Sequence, residues 1–210
     1  MKSYKQLLLA NKAWAAERHD ENRVYFEHMA AGENPEFLWI GSIDSRTGPE
    51  QMTMTPPGGF LTHRNIANLV NEDDISLRAT LQFALRSLNV RHVIVCGHHN
   101  CNGINAVVAE DTSGPCDAWL ENVREVARHH VEELRPLEGQ ARANRLVELN
   151  VRAQLLKLAH LPEVAERLAK PDDLYLHGWV YDIREGLIKP LLEIDHSTAL
   201  DKIKVPEPVL

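Results

Sequence analysis

Short apolar runs alternate along the chain with segments of helical periodicity. The runs predicted as strands are 37–41, 60–62, 92–97 and 174–180, with 186–194 as the hairpin partner of the last. The segments predicted as helices are 3–18, 22–32, 75–88, 103–109, 117–135, 141–158 and a short one between Pro162 and Pro171. This alternation predicts an α/β fold with a mostly parallel central sheet flanked by helices.

The remaining segments are rich in proline and glycine. Residues 47–59 have the composition of a loop, and the tail with Pro206 and Pro208 is expected to be extended or frayed. A length of 210 residues fits one domain. We therefore predict a single domain over 1–210, with a helical arm at 1–34, a core at 35–195 and a tail at 196–210.

The amino-acid composition argues against two classes of binding partner, nucleic acids and membranes. The net charge of −7 argues against a general affinity for nucleic acid, which requires a basic surface. No apolar run approaches the roughly 20 residues that span a bilayer, and the patch Leu7-Leu8-Leu9-Ala10 is too short for a secretory core. We expect a cytoplasmic protein with no nucleic-acid partner and no membrane partner.

Two polar motifs follow predicted strands. His98 and Cys101 come after the run Val93-Ile94-Val95, and Asp44 and Arg46 come after the run at 37–41. In sheets of this class, ligands gather at the carboxyl ends of the strands. Imidazole and thiolate are suitable zinc donors, so His98 and Cys101 are candidate metal ligands. Arg46 can hold the Asp44 carboxylate through two parallel hydrogen bonds, although a purely structural ion pair fits the spacing equally well.

Six stretches of the chain, two of which contain these motifs, form a wider pattern. They are Phe37-Leu38-Trp39-Ile40-Gly41, Asp44-Ser45-Arg46, His63-Arg64-Asn65-Ile66-Ala67-Asn68-Leu69-Val70, Cys96-Gly97-His98 with Cys101, Glu148-Leu149-Asn150-Val151 and His177-Gly178-Trp179-Val180-Tyr181. On these stretches the chain resembles, over about residues 1–195, the bacterial β-class carbonic anhydrases that bicarbonate regulates. The resemblance implies the β-carbonic-anhydrase fold, reversible hydration of carbon dioxide to bicarbonate, and zinc bound by His98 and Cys101.

The resemblance also implies how the site and the subunits are organised. Asp44 and Arg46 would form a catalytic pair that switches: Asp44 pairs with Arg46 in the active state and binds the metal in the inactive state. Bicarbonate would favour the inactive state from a pocket formed by Trp39, Gly41, Arg64 and Tyr181. The two aromatic residues could equally belong to the core, and Arg64 could serve a dimer salt bridge.

The family resemblance implies an assembly of this chain with itself, as a homodimer or a dimer of dimers. The N-terminal helix would then pack on the partner subunit. Its Leu7-Leu8-Leu9 patch and Trp14 would otherwise be costly exposed surface.

The chain departs from the family at Ser42, where the resemblance implies a zinc-binding cysteine. A hydroxyl is far harder to deprotonate than a thiol and is therefore a poor zinc ligand. Neighbouring positions depart as well; they are Ile43, Thr47-Gly48, His99, Asn100 and Asn102. We therefore expect zinc to be weakly bound or absent and activity to be reduced or altered.

Three arrangements remain open at this site. Zinc could be held by Asp44, His98 and Cys101, with Ser42 or water completing the shell. His99 or another nearby group could instead lend a ligand. With either of these, the substrate could be another small molecule. In the third arrangement the metal is lost, and the protein is a bicarbonate-binding or regulatory subunit.

Overall fold

The structure is a computed structural model that describes residues 3–32 and 34–209. The chain forms two compact units, Met1–Asn34 and Pro35–Leu210. Positions 1, 2 and 33 of the predicted arm, and position 210 of the predicted tail, lie outside the described residues.

The first unit contains two helices, which confirms the two predicted for this segment. They are α1 (Tyr4–Glu21) and α2 (Tyr25–Ala30). The Trp14 ring meets Phe26 edge to face, with 5.7 Å between the ring centroids. No described residue of either helix is buried, and Leu7, Leu8 and Leu9 are each about three-fifths exposed, at 59–66%. These three leucines are therefore exposed apolar side chains.

The second unit is built on a five-stranded sheet in the order β2-β1-β3-β4-β5. The strands are β1 (Phe37–Ser42), β2 (Phe60–Asn65), β3 (His92–His98), β4 (Tyr175–Asp182) and β5 (Leu187–Ile194). The first four are parallel, and β5 is antiparallel to β4. This confirms the mostly parallel sheet and the terminal hairpin. The strand at 60–62 extends three residues further than predicted, because Asn65 still pairs with Ser42 at the end of β1.

Seven α-helices are described in this unit. They are α3 (Pro49–Thr53), α4 (Ile75–Gln82), α5 (Asn102–Val108), α6 (Gly114–His129), α7 (Val131–Leu134), α8 (Gly139–His160) and α9 (Pro162–Leu168). The prediction that 47–59 is entirely loop was wrong, because Pro49 begins α3 at the first helical position, where proline needs no hydrogen-bond partner. The predicted helix at 117–135 is two helices, since His130 leaves the helical conformation at φ −117° and ψ 26°.

Helices α4, α8 and α9 pack on one face of the sheet. Leu38, Ile40, Val93 and Val95 point from β1 and β3 into a buried core shared with α4, α8 and α9. A second buried cluster continues this layer beneath α5 and α6. Trp39, Phe60, Ile94 and Tyr181 form a smaller cluster on the opposite face. Because β1 and β3 are adjacent and parallel, their carboxyl ends lie side by side, next to the first turn of α5.

Among the described residues, no helix combines the length and the apolar character needed to cross a membrane. After β5 the chain makes a 3₁₀ turn at Leu200–Lys202 and then has no regular secondary structure. The tail contacts α8, because Arg152 donates to the carbonyl oxygens of Ile203 and Lys204 at 2.6 and 3.0 Å.

Candidate metal site

The candidate site lies where β1 and β3 end. Ser42 is the last residue of β1, and Asp44 follows it on the connecting turn. His98 is the last residue of β3, and Cys101 stands immediately before the first turn of α5. Ser42, His98 and Cys101 are buried, with at most 2% of each residue exposed. The sheet therefore brings together side chains that are more than fifty residues apart in sequence.

One carboxylate oxygen is the centre of the cluster. Asp44 Oδ1 lies 3.0 Å from His98 Nε2 and 3.6 Å from Cys101 Sγ, and it accepts a 2.7 Å hydrogen bond from the Ser42 hydroxyl. The other oxygen, Oδ2, accepts from the backbone N–H of Asn102 at 2.8 Å. Asp44 is thus fixed by both of the strand-end segments.

The donor set fits a zinc ion. Ligand atoms of Asp44, His98 and Cys101 all lie within 4.8 Å of one another, and carboxylate, imidazole and thiolate are the three donor types that zinc accepts. Donors around a tetrahedral zinc are separated by about 3.3–3.8 Å, from bond lengths of about 2.0–2.3 Å. The separations of 3.0 and 3.6 Å from Asp44 are close to that range. Small side-chain movements would therefore complete the coordination geometry.

The orientation of His98 is set by the residue after it. His98 Nδ1 lies 3.0 Å from the backbone carbonyl oxygen of His99, which can only accept, so Nδ1 carries a proton and Nε2 faces the cluster. A metal-binding histidine commonly has its second nitrogen held in this way. His98 is therefore already oriented as a ligand through Nε2.

Without a metal, His98 and Asp44 form an ion pair. Burial alone would lower the pKa of His98, but the contacts with Asp44 and Cys101 outweigh burial and raise that pKa to about 9. Burial would raise the pKa of Asp44, but His98, the Asn102 N–H and the Ser42 hydroxyl hold it well below its usual range. Asp44 is thus ionised before any metal arrives, whereas His98 Nε2 must first lose a proton.

The Ser42 hydroxyl is held on both sides. It donates to Asp44 Oδ1 and accepts from the backbone N–H of Ala67 at 3.2 Å. Its oxygen lies 3.6 Å from Cys101 Sγ, so it borders the donor cluster. A neutral hydroxyl fixed in this way orients Asp44 and supplies no negative charge to a metal.

The predicted Asp44–Arg46 pair is only loosely formed. Arg46 Nη1 donates to the backbone carbonyl oxygen of Asp44 at 2.8 Å and to that of Asn100 at 3.4 Å, whereas it lies 3.7 Å from Asp44 Oδ2. The Asp44 carboxylate is directed at His98, Ser42 and the Asn102 N–H instead. This structure therefore has Asp44 turned towards the donor cluster.

Two of the four residues predicted as a bicarbonate pocket, Trp39 and Tyr181, have packing roles. Trp39 and Tyr181 share one buried cluster, in which Trp39 meets the edge of Phe60 at 6.0 Å between centroids. Gly41 leaves room for Trp39, because a Cβ at position 41 would overlap the indole nitrogen. Those two aromatic side chains therefore pack in the core, and their role in binding bicarbonate stays a prediction.

Arg64 is committed to the turn after β1. Its guanidinium donates to the carbonyl oxygens of Ser42 and Thr47, each at 2.9 Å, and to the Ser45 hydroxyl at 2.6 Å. It therefore fixes the backbone that carries Ser42 and Asp44.

His99 is directed away from the donor cluster. Its two ring nitrogens each lie 3.3 Å from a buried carboxylate, Nε2 from Glu148 and Nδ1 from Asp182. In this structure His99 is therefore not positioned to lend a metal ligand. Glu148 and Asp182 were not predicted as site residues, although a glutamate inside the apolar pattern of α8 is a signal of a buried polar contact.

The fold and the three converging donors define an α/β protein with a candidate metal site at the carboxyl edge of a parallel sheet. The sequence profile of a family described as carbonic anhydrase matches residues 37–188. A carbonic anhydrase from Emericella nidulans is 35% identical over 190 residues, which cover 90% of this chain and 83% of that relative. One from Pseudomonas aeruginosa is also 35% identical, over 79% of this chain and 77% of that relative.

Solved structures agree with these sequence matches. A Coccomyxa β-carbonic anhydrase in complex with acetazolamide superposes with a TM-score of 0.86 and 33% identity, over 93% of this chain and 89% of that one. One of two tetrameric β-carbonic anhydrases from Sordaria macrospora gives a TM-score of 0.85 and 36% identity, over 90% and 96%. The chain belongs to the carbonic anhydrase family, and to its β class. Enzymes of this class use zinc, and Asp44, His98 and Cys101 form a possible site for it.

Proposed function

We propose that the protein catalyses the reversible hydration of carbon dioxide to bicarbonate, with zinc held by Asp44, His98 and Cys101. The observation that carries the proposal is the convergence of these three donors within 4.8 Å at the ends of β1 and β3. When bound there, zinc would supply a hydroxide at neutral pH by lowering the pKa of a water molecule.

The chain's own residues determine how well this site would work. Asp44 and Cys101 together contribute two negative charges once the thiol is deprotonated, which balances the charge of a zinc ion, and neutral His98 adds none. Ser42 and the Asn102 N–H hold the Asp44 carboxylate in the cluster. An Asp44 engaged as a ligand is not free to pair with Arg46, so we expect activity lower than in relatives with a free aspartate.

The test is metal analysis of the purified protein together with stopped-flow measurement of carbon dioxide hydration. We expect close to one zinc per chain and measurable hydration that disappears in a Cys101→Ser variant. Less than about a tenth of an equivalent of zinc after incubation with excess metal, and no hydration at any pH, would refute the proposal.

We also propose that the chain assembles with itself as a dimer or a dimer of dimers. The uncovered leucines of α1 support this, because a contiguous apolar patch on one chain usually marks an interface. The Sordaria macrospora relatives are described as tetrameric. Light scattering on a size-exclusion column should give a mass of two or four chains, and a Leu7→Ser/Leu8→Ser variant should give a smaller species.

A second candidate function is a bicarbonate-binding regulatory subunit without catalysis. It is favoured by the direction of the Asp44 carboxylate, which faces the donor cluster rather than Arg46. If this function is correct, bicarbonate should raise the melting temperature of a chain that shows no hydration activity. An Arg64→Gln variant should lose that stabilisation.

A further inference from the structure

The last described residues, 203–209, form a segment that we call the tail strap. Arg152 of α8 donates to the carbonyl oxygens of Ile203 and Lys204 at 2.6 and 3.0 Å. Further along, Arg145 of the same helix donates to the carbonyl oxygen of Pro206 at 2.6 Å. The strap is thus attached to α8 through backbone carbonyl groups at three positions.

Arg145 also connects the strap to a buried carboxylate. Its Nη1 donates to Glu148 Oε2 at 2.5 Å, and Glu148 Oε1 accepts from the backbone N–H of Val209 in the strap at 3.4 Å. Arg145 is 4% exposed and Glu148 is fully buried. Burying such a pair is costly unless further hydrogen bonds satisfy both groups, and here the strap supplies one to each.

Glu148 connects the tail strap to the candidate metal site. Its Oε1 lies 3.3 Å from His99 Nε2. The backbone carbonyl oxygen of His99 accepts a hydrogen bond from His98 Nδ1 at 3.0 Å. A continuous path of contacts therefore runs from the strap through Glu148 and His99 to the imidazole of His98.

We infer that the tail strap fixes the metal ligand His98 through Arg145, Glu148 and His99. This inference rests on the proposed metal site and adds positioning residues to it, none of which would touch the metal. Without the strap, water reaches Glu148, its carboxylate is no longer held towards His99, and the His99 peptide loses an anchor. Changes in such outer contacts typically alter metal affinity by about 10–100-fold.

The first experiment is a double-mutant cycle on zinc affinity, measured by competition with a chromophoric chelator. The variants are a chain that ends at Lys202, the substitution Glu148→Gln, and both together. We expect each single change to weaken zinc binding by about 10-fold or more. The chain with both changes should bind zinc as tightly as the Glu148→Gln variant, because the two changes act through one path. Independent, additive effects would overturn the inference, and so would an unchanged affinity of the shortened chain.

Arg78→Ala is the matched control. Arg78 of α4 pairs with Glu163 of α9 at 2.5 Å, so this variant also breaks an arginine–carboxylate pair between elements of the core. It has no hydrogen bond to the path from the strap to His98. We expect its zinc affinity to remain within about twofold of the parent chain.

A second readout needs no metal. In the metal-free protein, the backbone N–H of His99 donates to the Tyr181 carbonyl oxygen at 3.0 Å, and His98 Nδ1–H donates to His99. Nuclear magnetic resonance should show faster hydrogen exchange of both protons in the shortened chain and unchanged exchange in Arg78→Ala. If the parent chain binds no zinc, the proposed function fails, while this exchange measurement still decides the role of the strap.

A chain that ends at Val205 provides the same test if the chain that ends at Lys202 does not fold. It keeps the contacts of Arg152 with Ile203 and Lys204, and it removes the Pro206 carbonyl and the Val209 N–H that contact Arg145 and Glu148. Faster exchange of the His98 and His99 protons in this variant would support the inference. Exchange identical to that of the parent chain would overturn it.

Discussion

Replacing Ser42 by cysteine tests the donor set most directly. Two thiolates bound to one tetrahedral zinc are about 3.8 Å apart, because each Zn–S bond is about 2.3 Å. The Ser42 oxygen lies 3.6 Å from Cys101 Sγ, so a sulfur at position 42 would stand close to a ligand position. The side chain at 42 already points into the cluster, and the substitution exchanges a poor ligand for a good one.

The expected increase in zinc affinity follows from the type of contact that the substitution creates. Since outer contacts alone alter metal affinity by about 10–100-fold, a new metal–thiolate bond should tighten zinc binding by at least about 10-fold. Asp44 would then be free to turn towards Arg46, whose Nη1 is already 3.7 Å from Oδ2. We therefore expect the hydration rate to rise as well. Zinc competition and stopped-flow hydration, both under reducing conditions that prevent a bond between the two thiols, measure these changes.

Ser45→Cys is the matched control for this variant. Ser45 is also buried on the turn after β1, but its hydroxyl contacts Thr47 and Arg64 rather than the donor cluster. It should leave zinc affinity unchanged. If Ser42→Cys binds zinc no more tightly than the parent chain, or if Ser45→Cys gains as much, the reasoning about position 42 is wrong.

Three further predictions concern single positions. Asp44→Asn keeps the shape of the side chain but removes the negative charge, so zinc affinity should fall by at least about 10-fold in the same competition assay. Gly41→Ala should lower the free energy of unfolding by about 1–3 kcal/mol in urea, because its Cβ would overlap the Trp39 indole. Gly48→Ala should cost far less, because a Cβ there would meet Glu50 Oε2 at an ordinary contact distance of 3.6 Å. Burial lowers the pKa of the His92 imidazole. The folded chain therefore favours the neutral ring, and this contribution to the free energy of unfolding is present above about pH 6.5 and is lost as the pH falls. Between pH 7 and pH 5, the His92→Phe variant should lose less free energy of unfolding than the parent chain.

The sequence was a good guide to the sheet because its strands are short apolar runs bounded by turn residues. β1, β3 and β4 begin or end within two residues of the predicted positions. Helix ends were less predictable, since they depend on local geometry such as the break at His130 between α6 and α7. Helix α3 was missed because proline and glycine around it have the composition of a loop.

The donors of the candidate site were predictable, whereas the contacts that hold them were not. His98 and Cys101 stand out because both follow a buried strand. The backbone N–H groups of Ala67 and Asn102 have no signature in the side-chain pattern, yet one holds Ser42 and the other holds Asp44. Ala67 donates from a left-handed conformation, with φ 65°, that its residue type does not suggest. Such contacts are set by tertiary structure.

The charge of the donor set explains how a site with Ser42 could still suit zinc. A carboxylate and a thiolate carry the same total charge as two thiolates, so Asp44 can take over the electrostatic role that Ser42 does not fill. The structure favours this, because three groups from Ser42, His98 and the Asn102 backbone already converge on the Asp44 carboxylate. Arg46, by contrast, binds backbone carbonyl groups and makes only a 3.7 Å contact with Asp44. On the proposed ligand set, position 42 therefore decides whether Asp44 is a fixed ligand or a group that can move, and the level of activity follows from that choice.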